Sequence, residues 1–142
     1  MYVEPSAFNA RLESMTYADW RPILAYIPRI QSTVSFGEYR PMAAMFPYWR
    51  AADIVIDFAK DCEAKGVMIL FDWMNFVHAQ AQLNAISRDF THWDILGLCK
   101  LLTAILRGDR FNEGLLIQAF QKGLILDILL ALDEKLKAYY LS

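Results

Sequence analysis

Two arginines and two carboxylates, Arg107, Asp109, Arg110 and Glu113, stand where one apolar helical pattern ends and another begins, in the run LLTAILRGDRFNEGLL (residues 101–116). A guanidinium presents planar donors suited to two-point recognition of phosphate or carboxylate. A helix starting near Asn112 would add free amides and the positive end of its dipole. The cluster therefore reads either as an anion pocket or as an internal clamp. As a clamp, Arg107 near a helix C-terminus suits the dipole and can bond the last carbonyls. Arg110 can bridge to Glu113, or to Asp72 or Asp94 elsewhere. We prefer the clamp, with Arg110 buried between the helices and paired, Glu113 and Asp72 being its first partners.

The other reactive side chains assemble into less. His78 and His92 lack the HxxxH, HxxE or CxxC spacing that a zinc site requires, so no metal is expected. They read as a helix-surface residue and a residue beside a helix cap. Cys62 and Cys99 each sit inside an apolar helical pattern, where thiols are reduced, buried and inert. No glycine-rich phosphate loop, GxSxG elbow or EF-hand pattern is present. No catalytic residue and no cofactor are assigned. Asp72 lies between Phe71 and Trp73, and an N-cap role would keep it ionised.

The elements that must position these residues read as helices nearly throughout. Pro5 and Ser6 open a short helix or arm with Phe8, Leu12 and Met15 on one face. Asp19 and Pro22 mark the start of the next helix, which Pro28 kinks or interrupts. Residues 31–49 are the least regular, punctuated by Gly37, Pro41 and Pro47 yet rich in large apolar side chains. A loop this apolar either packs over the core or offers a binding surface. We expect an aromatic patch around Tyr39, Met45, Tyr48 and Trp49.

Further along, residues 50–65 form an amphipathic helix stopped by Gly66. Asp72 then caps a helix striped by Trp73, Phe76, Val77 and Ala81. The run VMILF (67–71) has strand character, but a single strand has nowhere to pair. Thr91 to Asp94 fits a capping box ahead of a strongly apolar helix. Asn112 caps a short helix ended by Gly123, and residues 124–139 form the last one. Short links favour antiparallel neighbours. The expected architecture is all-α, a single-domain irregular helical bundle of about five to seven helices. Residues 1–18 form an N-terminal arm or short helix and residues 19–142 the helical domain.

The chain has 142 residues, 56% hydrophobic and 14% aromatic, ample for one packed core. A net charge of -2 argues against a broadly basic nucleic-acid surface, so no nucleic-acid partner is expected. No apolar run approaches the roughly 20 residues of a membrane span. The opening residues lack the pattern of an export signal. A cytoplasmic protein that does not engage membranes is the expectation.

The run LLTAILRGDRFNEGLL, together with the C-terminal segment after it, resembles a family of small, mostly bacterial helical domains of unknown function. These carry a leucine-rich helix, an R-G-E/D-R-F-x-x-G elbow, a short helix, a glycine and an apolar closing helix. The matching positions here are Arg107, Gly108, Asp109, Arg110, Phe111, Gly114, Gly123 and Leu124. The segment ILAYIP near Ile23 and the aromatic FDW at 71–73 extend the resemblance over most of the chain, leaving residues 1–15 outside it. The resemblance implies a fold and no activity. The surplus of apolar and aromatic residues points to a protein-protein interaction or regulatory module, with a protein partner or a second copy in a homodimer. The alternative is a small-ligand or anion-binding protein, or an enzyme, with its site at the elbow.

Overall fold

A computed structural model describes residues 2–40 and 48–142 of the chain. Helices dominate it, as expected. In chain order they are α1 (Phe8–Ser14), α2 (Arg21–Leu24), α3 (Tyr26–Gln31), α4 (Asp53–Ala64), α5 (His78–Asn84), α6 (Ile95–Gly108), α7 (Leu115–Gln121) and α8 (Leu124–Leu141). Two short strands, β1 (Gly37–Arg40) and β2 (Tyr48–Ala51), pair antiparallel with Gly37 opposite Ala51 and Arg40 opposite Tyr48. This ribbon corrects the irregular reading of that segment. Its strands are four residues each, too short to show clear alternation.

The helix α6 is apolar on nearly every face, so it must be buried. Leu98, Cys99 and every residue from 101 to 106 are buried. The last helix, α8, is amphipathic and turns Leu124, Ile125, Ile128, Leu129, Leu132 and Leu136 inward. It packs on α6, α7 and α3. Phe58 of α4 reaches the same core and meets Tyr26 and Phe120 edge to face, at centroid distances of 5.2 and 5.4 Å. Pro28 acts as expected. It has no N–H for the Leu24 carbonyl, and the helix breaks at Ala25 between α2 and α3.

Several element boundaries differ from the sequence reading, the first being the start of α4: residues 50 and 51, expected in that helix, belong to β2. The cap of α6 is Asp94, whose carboxylate accepts from Gly97 N–H at 2.7 Å. Thr91 is engaged elsewhere, its N–H donating to Asp89 at 2.9 Å. Asp72 heads only a single 3₁₀ turn, Trp73–Asn75, and makes no backbone cap. Its carboxylate accepts from the Asn75 side chain at 2.7 Å, while Val77 of the expected stripe is exposed. Gly114, in the left-handed region at φ 86°, occupies the N-cap of α7 in place of Asn112.

Residues 67–70 do find a partner. Val3 N–H donates to Met68 O at 2.9 Å and Leu70 N–H to Val3 O at 2.8 Å, a one-residue parallel bridge. The Thr103 hydroxyl accepts from Ile69 N–H at 2.9 Å and donates to Cys99 O at 2.8 Å. A buried helix side chain thus completes a buried extended segment. Val3, Phe8 and Leu12 place the N-terminal residues in the common core.

Candidate functional site

The elbow joins α6 to α7, and each of its charged residues has a different fate. Asp109 reaches forward to the first turn of α7, where its carboxylate accepts from Leu116 N–H at 2.9 Å. Glu113 reaches across to the ribbon and accepts from Trp49 N–H at 2.9 Å. Both carboxylates therefore satisfy backbone donors, a tie made by the acids and not by the arginine contacts expected of a clamp. Arg110 departs from expectation. Its side chain is 63% exposed and pairs at 3.0 Å with Glu63 of α4, neither with Glu113 nor with Asp72. The elbow turns outward at Arg110, so solvent covers what the apolar flanking sequence placed inside.

Arg107 is held by rings. Its guanidinium carbon lies 5.2 Å from the Tyr2 ring centroid and 5.5 Å from that of Trp73. Trp73 in turn stacks on Phe111 at 5.7 Å. Among the described residues no carboxylate pairs with Arg107, and its Nε is buried without an acceptor. Gly114 fits the same junction. A Cβ there would come within 2.6 Å of the Trp49 indole, so only glycine admits this ring against the backbone.

Of the expected interaction residues, Tyr39 is exposed and meets Trp49 edge to face at 5.5 Å. Tyr48 and Trp49 are half-buried. Met45 lies outside the described residues.

The most deeply held arginine is not among the candidates from sequence. Arg88 precedes α6, and its side chain is only 5% exposed. Its Nε donates to Gln82 O at 2.8 Å, and its Nη1 to Lys122 O at 3.2 Å and Asp127 at 3.0 Å. It ties the ends of α5 and α7 to the start of α8. A single arginine in the run SRDF, flanked by two helical patterns, was the available signal. Its acceptors lie up to 39 residues away and could not be read.

A second feature escaped the sequence because it depends on packing. Both histidines line one cleft of about 540 Å³ between α5 and the start of α6, together with Phe76, Gln82, Trp93 and Lys100. The rings Phe71, Phe76, His78, Trp93 and Phe90 form an edge-to-face chain along it, with centroids 5.1–5.5 Å apart. Among the described residues no group of three or more His, Cys, Asp or Glu could hold a metal. No single helix there is long and apolar enough to cross a membrane. Burial pushes the Cys99 thiol up to about 12 and raises Cys62 well above its ordinary value, so neither is a ready thiolate.

No curated protein and no solved structure matches the chain. A family model does match, from residue 15 to residue 138, and the chain belongs to that family of unknown function (DUF6508).

Proposed function

We propose that the protein is an interaction module of the cytoplasm, a regulatory or scaffolding unit that binds another protein, a second copy of itself being the simplest partner. One observation carries the reading. Leu70, Met74, Val77 and Phe111 are between 53% and 76% exposed, and the stack of Trp73 on Phe111 joins the 70–77 segment to the elbow. Exposed apolar side chains gathered in one region mark interaction surfaces, whereas single scattered ones do not. Tyr39, with Tyr48 and Trp49 beside it, is a candidate extension through the ribbon. The free buried cysteines support a reducing compartment, and the net charge of -2 supports a protein partner over a nucleic acid.

Sedimentation of wild type and of a Met74→Asp/Phe111→Asp variant tests the proposal. We expect a concentration-dependent dimer that becomes monomeric in the variant. A wild-type monomer that also captures no protein from its host through this face would defeat the reading.

Arg107 supports a second reading, an anion site at the elbow. Its guanidinium lies over two aromatic rings and has no carboxylate partner among the described residues. Titration with inorganic phosphate, followed at the Arg107 Nε–H resonance, separates this reading from the first.

A further inference from the structure

The cleft between α5 and α6 has the size of a small-molecule pocket, which falls at about 300–1,000 Å³. Its walls are flat. Trp93 meets His78 and Phe90 edge to face at 5.5 and 5.4 Å, and Phe76 meets His78 at 5.1 Å. Gly97 in the first turn of α6 leaves room for the indole: a Cβ there would meet the Trp93 ring at 3.3 Å.

Polar groups also line it. Lys100 lines the cleft with its ammonium 5.5 Å from the Phe71 centroid, and among the described residues no carboxylate pairs with it. Asp94 lies six residues earlier, about 9 Å along the helix axis. One of its oxygens is occupied by Gly97 N–H. Gln82, also in the lining, leaves its Oε1 without a hydrogen bond. The cleft therefore offers aromatic walls, a cation, and acceptors in need of a donor.

We propose that this cleft binds a planar aromatic carboxylate bearing a ring N–H, of the size of an indole acid, with its carboxylate on Lys100. The rings supply stacking surface. The ammonium supplies a charge-assisted hydrogen bond. Asp94 disfavours a second anionic group.

The test is an NMR titration of the whole chain with indole-3-acetate, indole and 1-naphthylacetate, followed at the indole N–H of Trp93. That signal is assigned by its loss in Trp93→Phe. We expect indole-3-acetate to give a saturable shift with a Kd of about 1 mM or tighter. Lys100→Gln should weaken it about tenfold and leave indole unchanged, while Lys100→Arg should retain binding. The naphthyl acid should bind more weakly than the indole acid. A saturating ligand that moves Trp49 or Trp73 and leaves Trp93 still would overturn the site. So would an affinity for the acid that Lys100→Gln does not change, or the absence of any saturable shift.

Discussion

At the scale of single residues, the two arginines Arg88 and Arg110 make opposite predictions. Arg88 is buried, and its three acceptors belong to three different elements. Replacing it with Met removes all three bonds, leaving Gln82 O with only the Ala85 N–H at 3.3 Å and the half-exposed Asp127 to water. We expect a loss of about 2–3 kcal/mol, the scale of a charged hydrogen bond. Arg110 forms an exposed pair with Glu63, so Arg110→Ala should cost no more than about 1 kcal/mol. Urea denaturation of both variants checks the contrast, and the reverse ranking would refute it. Tyr26 sets a pH dependence. Burial, and then the hydrogen bond it donates to Asp61 at 2.5 Å, push its phenol up to about 12. The folded state favours the protonated form. Its contribution is complete below the ordinary tyrosine value of about 10 and is lost as pH rises toward 12. Ultraviolet titration should show a late-ionising tyrosine that disappears in Tyr26→Phe. The charged elbow was legible as a cluster. Its partners were not, because Trp49, Glu63, Tyr2 and Trp73 lie far from it in sequence.

At the scale of elements, helices with a strong apolar period were legible and short or irregular elements were not. The residues of α4, α6 and α8 carry their own pattern, so their existence and most of their extents followed from periodicity and from Gly66, Gly108 and Gly123, although residues 50 and 51, expected at the start of α4, belong to β2. The four-residue strands carry none. The cap of α6 is Asp94 and not Thr91 because Thr91 closes a local turn on Asp89, a competition between nearby acceptors that composition does not resolve. The extended run 67–70 has no strand beside it in sequence. The neighbour it has is a single residue, Val3, with a side chain of α6 serving its remaining amide. Thr103→Val preserves the shape of that side chain and removes both of its hydrogen bonds. Because Ile69 N–H would then be buried without an acceptor, we expect a loss of about 1–3 kcal/mol, measurable as a lower Tm with unchanged helical circular dichroism.

At the scale of the molecule, the family match begins at residue 15, yet the preceding residues supply Val3, Phe8 and Leu12 to the core. Burying a side chain of this kind stabilises by about 1.5–3 kcal/mol. We expect a chain shortened to residues 15–142 to be destabilised by several kcal/mol and to bind a hydrophobic dye. A shortened chain as stable as the full one would show that these residues dock without contributing. The helical class followed from composition and period; the arrangement of the cleft and of the exposed face followed from packing alone. The tie between the two ends carries one further consequence. The Tyr140 hydroxyl donates to Leu12 O at 2.6 Å, and Tyr17 donates to Asp133. These two contacts span 128 and 116 residues of sequence, so they reward folding only after a long loop has closed. The seam between the opening and closing segments is therefore the place to look for the slow step of folding.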